Sequence, residues 1–397
     1  MPSARLHPIA PPLRITGAPI LGPEGWRDGP LLLAEGRIAE DAAGGTDAAP
    51  ARTVDLSGRQ ILPGIVDLHG DGFEHHLAPR RGVALDKVAG LRGVDAELGA
   101  SGVTTAVLAQ FFSWEGGMRG PDFADALAEA LTVFRDEALA DLHLQIRFET
   151  HMLDDLDRLL TLVERSGCRY VVFNDHLPHA EFAAGKSPTR LTSAAIKAGR
   201  SPEDHLALLR RLVARHSEVP AALARFSETL KTRGVMLGSH DDPNPETRAR
   251  FRAMGAQISE FPETLAAAEA AAEAGEPVIM GAPNVVRGRS HARKVSARDI
   301  VAAGLCTALV SDYHYPSLAR AAFTLADEDI LPLAEAWALI SRRPAEILGL
   351  RDRGHLGPGQ RADLTVVDPQ TRRIEGTLTA GRVSFLAGLT ADRFLAA

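Results

Sequence analysis

Eight short apolar runs, separated by Ala- and Leu-rich stretches, constrain this chain more than any other feature. The runs are ILPGIVDLH (61–69), TTAVLAQFF (104–112), HLQIRFETH (143–151), YVVFNDH (170–176), VMLGSHD (235–241), AQISEF (256–261), PVIMGAPN (277–284) and TALVSDYH (307–314). Their lengths and their β-branched and aromatic content are those of buried strands. Helix formers recur between them, for example at 121–139, 202–215, 264–274 and 319–325. Strands alternating with helices bury a parallel sheet on both faces, and eight such units over roughly 290 residues match a (β/α)8 barrel.

The two chain ends have a different rhythm. LRITGAPIL and GPLLLAEGRIAE near the N-terminus, and ADLTVVD and GTLTAGRVSFLAG near the C-terminus, read as short strands between glycines, with residues 41–51 as a loop. Neither end carries enough apolar residues for a core of its own. The expectation is one small β-sandwich built from residues 1–60 and 353–397, attached to a barrel of residues 61–352.

Composition excludes several classes. Lys and Arg number 44 against 51 Asp and Glu, a net charge of −7 over 397 residues, which argues against a general nucleic-acid binder. Trp26, Trp114 and Trp337 are scattered rather than arrayed for stacking on bases. Cys168 and Cys306 are far apart, so a disulfide framework is excluded; both are expected to be core residues in a reducing compartment. There is no signal-peptide pattern and no apolar run near the ~20 residues of a membrane span, so a cytoplasmic protein is expected. Phosphate-loop, dinucleotide and serine-elbow motifs are all absent.

What ends each run carries the chemistry. The first closes on Asp67, His69 and Asp71, the third on Glu149 and His151, and the fourth on Asn174, Asp175 and His176. The fifth closes on His240, Asp241 and Asp242, and the eighth on Asp312 and His314. Strand C-termini of such a barrel open onto one face, so these groups are expected to converge there. Imidazoles and carboxylates are ligands for Zn²⁺, Mn²⁺ or Fe²⁺, and His69 and Asp71, two apart on an extended segment, point the same way. Asp175, Asp241 and Asp242 would serve equally as helix caps, and His75 and His76 read as loop residues. After the seventh run, residues 281–294 read as a Gly-punctuated loop carrying Asn284, Arg287, Arg289, His291, Arg293 and Lys294, with Ser296 as a helix N-cap beyond it. Forked guanidinium donors there suit a phosphate, a ligand this face of the barrel often binds. His75, His76, Arg80 and Arg81, with Lys186 and Arg190, extend the cationic rim.

LPGIVDLHGD followed by a barrel and by GHLGPGQRADLTVVD resembles the amidohydrolase superfamily. More closely, DLHGDGFEHHLAPRRGV, FNDH, GSHDD, FPET, MGAPNVVRGRSH and SDYHYPSL resemble its PhnM-type family, the α-D-ribose 1-methylphosphonate 5-triphosphate diphosphatases of the bacterial carbon–phosphorus lyase pathway. The resemblance implies one or two divalent ions, zinc first among them, held by His69, Asp71, Glu149, His176, His240 and Asp312. Glu149 stands where a carboxylate bridges two metals, and Asp312 is the implied general base. His76, Arg80, Asn284, Arg287, Arg289, His291 and His314 are then expected to contact a small phosphorylated substrate. The chain departs from the pattern after His176, where it reads Leu-Pro-His-Ala-Glu-Phe in place of Thr-Pro-Gly-Gln, and at His314. Two alternatives stand beside the diphosphatase: an amidohydrolase cleaving a C–N bond of a small substrate, and a non-catalytic barrel subunit of a phosphonate-degrading assembly. A homodimer is the expected assembly, since dimers are the commonest oligomers.

Overall fold

The computed structural model describes residues 11–40, 51–80, 85–288 and 294–397. Eight strands follow one another in a single sheet: β1 (Ile65–Gly70), β2 (Val103–Phe112), β3 (Asp141–Glu149), β4 (Tyr170–Asn174), β5 (Met236–His240), β6 (Ile258–Glu260), β7 (Val278–Gly281) and β8 (Ala308–Val310). The pairing is parallel, as between β1 and β2 or β4 and β5. Between first and last strand, Gly70 bridges Asp312 in parallel and the Asp312 N–H donates to the His69 carbonyl at 3.1 Å. Helices such as Lys87–Ala100, Pro121–Phe134, Leu156–Ser166 and Pro245–Ala253 connect the strands. The fold is a (β/α)8 barrel of TIM type, as the alternation predicts. All ten residues of β2 are buried, which is why such strands read as continuous apolar text.

Element ends differ from the sequence reading in three places. The run 61–69 is two strands, because Pro63 lacks an N–H and Gly64 packs tightly: a Cβ at Gly64 would lie 2.5 Å from Thr104 Oγ1. The predicted helix 121–139 stops at Phe134. Residues 282–287, expected as loop, form the helix Ala282–Arg287, with Pro283 in its first turn and Gly288 closing it in the left-handed conformation at φ +69°. Ser296 does cap the next helix, accepting from the Arg298 N–H.

Two compact units make up the chain, the first from residues 1–108, 133–143 and 280–397, the second from 109–132 and 144–279. In the first, both chain ends form the small sandwich. One sheet orders Arg37–Ala39, Leu31–Ala34, Leu13–Thr16 and Arg52–Asp55; the other orders Arg382–Leu386, Ile374–Thr379, Leu364–Val367, Gln60–Pro63, Ile20–Gly22 and Gly25–Arg27. Leu364–Val367 runs antiparallel to Gln60–Pro63, sewing the C-terminus to the N-terminus. Ile15, Ile20, Val54, Ile61, Leu364, Val366 and Leu378 share one core, so neither end folds its strands without the other.

Asp141, at the N-terminal end of β3, accepts from Arg353 Nη1 at 2.7 Å, with His143 Nε2 at 3.3 Å and Arg361 Nη1 at 3.7 Å. Burial pushes its carboxyl up, but the His143 hydrogen bond and the charges of His143, Arg353 and Arg361 outweigh it and hold the group well below the carboxylate range. A carboxyl depressed in the folded state stabilises above its unfolded pKa of about 4, and that contribution is lost as pH falls below it. Asp141→Asn is therefore expected to cost about 2 kcal/mol at pH 7, chiefly by depriving buried Arg353 of a partner. The deficit should shrink below about pH 4, which denaturant melts of both proteins across pH would show.

In the second unit β4, β5 and β6 stand in register, with Val172 beside Gly238 and Gly238 beside Ile258. Cys168, like Cys306 of the first unit, is buried, and burial pushes each thiol up to about 12, so neither is a reactive nucleophile. Among the described residues no helix is long and apolar enough to cross a membrane.

Candidate metal centre

The first unit contributes the ends of β1 and β8. Asp67 is fully buried, and its carboxylate accepts from the Ser311 hydroxyl at 2.5 Å and the Ser311 N–H at 3.0 Å. Burial outweighs those bonds and raises the Asp67 pKa. His69 follows on the same strand and is fully buried. The Asp71 N–H donates to the Asp312 carbonyl at 2.7 Å, so His69, Asp71 and Asp312 are tied together through their backbones. Asp312 is left-handed at φ +55°, a conformation that only Gly, Asn and Asp adopt readily. Such backbone recurs just beyond two other strand ends, at Asp241 (φ +59°) and Phe261 (φ +53°), and for a ring as bulky as Phe261 it is a strained conformation.

The second unit supplies the ends of β3, β4 and β5. Glu149 closes β3 and is fully buried; its carboxylate faces His176 Nδ1 at 2.5 Å and accepts from the His176 N–H and the Trp114 indole N–H, both at 3.2 Å. Burial opposes ionisation of Glu149, but the His176 charge and hydrogen bonds prevail and lower its pKa; burial likewise opposes charge on His176, and Glu149 prevails to raise it. His240 Nδ1 pairs with Asp241 Oδ2 at 2.8 Å. His176, His240 and Asp241 each offer a donor atom, all within 4.8 Å of one another. Imidazole nitrogens beside carboxylate oxygens are the donor set of Zn²⁺, Mn²⁺ or Fe²⁺, so these residues fit a divalent ion. Arg147 Nη2 lies 2.9 Å from His240 Nε2, so coordination through Nε2 requires this guanidinium to turn away.

The residues expected to bind substrate are placed differently. His76 lies in the helix Glu74–Leu77, not a loop, and its Nε2 pairs with Glu97 at 2.6 Å. Asn284 Oδ1 accepts from the Ala297 N–H at 3.2 Å. Arg80, Arg287 and His314 are exposed, while Arg81, Arg289, His291 and Arg293 lie outside the described residues. The helix-cap alternative fails for the fifth-strand aspartates: Asn244 caps Pro245–Ala253, and Asp242 is buried against Arg248.

Arg147, Arg119, Glu260, His179 and His216 are not singled out by the sequence, whereas His151 and Asp175 are marked there as strand-end groups. Arg147 stacks 3.9 Å over the Phe111 ring, with Arg119 4.2 Å from the same ring. Glu260, buried at the end of β6, accepts from Tyr170 at 2.6 Å and Gln145 at 2.9 Å. His151, Asp175, His179 and His216 form a further cluster; burial holds His151 down to about 4 against the pull of Asp175. A single sequence marks strand ends but not partners that tertiary packing chooses.

A (β/α)8 barrel with imidazoles and carboxylates at its strand ends describes a class of metal-dependent hydrolases. The chain belongs to the amidohydrolase family, whose pattern matches residues 86–385. It is a hydrolase of that superfamily, and its sequence is of the PhnM type. It is 33% identical over 337 residues to the alpha-D-ribose 1-methylphosphonate 5-triphosphate diphosphatase of Escherichia coli (strain K12), covering 81% of this chain and 86% of that protein. Two solved structures share the fold. The N-acetylglucosamine-6-phosphate deacetylase of Pasteurella multocida superposes with a TM-score of 0.62 at 11% identity, covering 94% of this chain and 99% of that one. The beta-aspartyl dipeptidase of Fervidobacterium islandicum AW-1 gives 0.62 at 15% identity, covering 96% and 98%.

Proposed function

We propose that this chain is a zinc-dependent diphosphatase that hydrolyses α-D-ribose 1-methylphosphonate 5-triphosphate to the 5-phosphate and pyrophosphate. The similarity to the Escherichia coli enzyme of that name, 33% identity across 81% of the chain, carries the reading. His69, Asp71, Glu149, His176, His240 and Asp312 are the ligands in this proposal. A bound divalent ion lowers the pKa of a water to about 7 and offsets phosphate charge.

The chain's own groups do the rest. Asp312 takes the proton of the attacking water and returns it to the leaving pyrophosphate. Trp114 and the His176 N–H, both donating to Glu149, hold that carboxylate in one orientation, as partners of a ligand must. His76, Arg80, Asn284, Arg287, Arg289, His291 and His314 are the groups assigned in this proposal to the triphosphate oxygens. Guanidinium groups are suited to that because their forked donors match phosphate geometry at any working pH.

Incubating the purified protein with the triphosphate substrate and assaying pyrophosphate tests the reading directly. Release should fall to background after chelation and return on adding Zn²⁺. A metal-loaded enzyme that frees no pyrophosphate, or one that hydrolyses an N-acyl sugar phosphate instead, would overturn it.

A further inference from the structure

We infer that His151, Asp175, His179 and His216 form a second transition-metal site, separate from the proposed ligands and structural in kind. Four different segments deliver them. His151 stands in the turn after β3, Asp175 just beyond β4, His179 opens the helix His179–Ala183, and His216 begins the short turn His216–Glu218. All four belong to the second unit. Asp175 and His176 are neighbours whose side chains serve different groups, Asp175 reaching His179 while His176 reaches Glu149.

The spacing is that of a coordination shell. His151 Nε2 lies 3.1 Å from His216 Nδ1 and His179 Nε2 lies 2.9 Å from Asp175 Oδ1. The other ring nitrogen of His151, Nδ1, lies 3.6 Å from that oxygen and 3.1 Å from Thr150 Oγ1, so His151 gives the shell one nitrogen and keeps the other for these partners. One donor atom from each residue falls within 4.8 Å of all the others. Tetrahedral zinc with bonds of about 2.0–2.1 Å separates its donors by roughly 3.3 Å, inside the observed range. His151 and His216 stack, 15° from parallel at 5.3 Å, and His179 meets His216 edge-on at 5.0 Å.

Hydrogen bonds hold this grouping in particular tautomers. Two imidazole nitrogens 3.1 Å apart hydrogen-bond only when one of them carries the proton and the other does not, and one carboxylate faces both His151 and His179. A divalent cation satisfies three imidazole lone pairs and one carboxylate together. Four protein donors leave no open position, which is the mark of a structural zinc site. Its effect would be to staple the turns after β3 and β4 to the 216–218 turn. His151 also lines a cavity of about 410 Å³ with Trp114, Arg200, Arg211 and Arg215, so the staple forms part of that cavity's wall.

The test is metal stoichiometry in the full-length protein, stripped with chelator, loaded with Co²⁺ and desalted. H179A and H216A should each bind about one equivalent per chain less than the parent and lose the visible absorption of a tetrahedral cobalt site. H240A, which alters only the proposed catalytic ligands, should keep that absorption. His216 is exposed, so its variant is expected to fold even if H179A does not; circular dichroism checks both. Equal cobalt content and unchanged absorption in the parent and in H216A would overturn the inference, whatever the parent does with a triphosphate.

Discussion

Asp312→Asn is expected to lower turnover by about 10²–10⁴-fold while leaving the fold intact, the range for removing a general base. The substitution is clean for a structural reason. Asp312 helps close the barrel through its backbone, its N–H donating to the His69 carbonyl and its own carbonyl accepting from the Asp71 N–H. Both bonds survive any side-chain change that tolerates φ +55°, and asparagine adopts that conformation about as readily as aspartate. The amide keeps the size of the carboxylate and loses its basicity. Asp312→Val would remove the same base but force a β-branched residue into the left-handed region, at about 1–3 kcal/mol of strain. Measuring kcat beside thermal midpoint, with both variants loaded with metal, separates the two: D312N should lose rate and some metal affinity but keep its midpoint, D312V lose rate and stability together. A D312N enzyme with its metal bound and its full rate would remove Asp312 from the chemistry.

The barrel was legible because its signal is local and repeated. Runs such as TTAVLAQFF are apolar throughout since both faces of β2 are buried, and the Ala/Leu stretches between runs leave few other topologies. The strand-end residues were legible for the same reason, since Glu149, His176 and His240 each stop an apolar run. Legibility failed where one residue's role depends on a partner elsewhere in the chain. Nothing near His76 announces Glu97, and nothing near Asp175 announces His151 or His216. The helix Ala282–Arg287 was missed because glycines at both ends mimic a loop, whereas Gly288 in fact terminates a helix. The departure Leu-Pro-His after His176 places a histidine, His179, where the family pattern has none. In the structure His179 pairs with Asp175.

Arg248→Leu should destabilise the protein by about 3–5 kcal/mol, the largest loss expected from a single change. Arg248 is fully buried on the helix Pro245–Ala253. Its Nη1 donates to Ser239 Oγ at 2.5 Å and Asp242 Oδ2 at 3.2 Å, its Nη2 to the Ala256 carbonyl at 2.5 Å, and its Nε lies 3.2 Å from Glu276. Leucine fills part of the volume but strands the buried Asp242 carboxylate, while Glu276 keeps its pair with Arg252, and the uncompensated charge dominates the cost. Arg248→Lys should recover little, because one ammonium cannot reach Ser239, Ala256 and Glu276 at once. The exposed Arg158, paired with Asp122 and Asp125, is the control: its loss should cost under about 1 kcal/mol. The pH dependence has a definite sign. Burial already raises the Asp242 pKa despite Arg248 and the serine hydroxyls, and removing Arg248 raises it further. A carboxyl raised in the folded state binds protons there first, so R248L should regain stability as pH falls from 7 towards 5. Chemical denaturation of wild type, R248L and R248K at both pH values would show this, and an R248L deficit that stays constant or grows on acidification would mean that Asp242 is not the stranded charge. Ser239 precedes His240 on β5, so the same substitution loosens the strand that carries a proposed ligand, and lost metal affinity should accompany the lost stability.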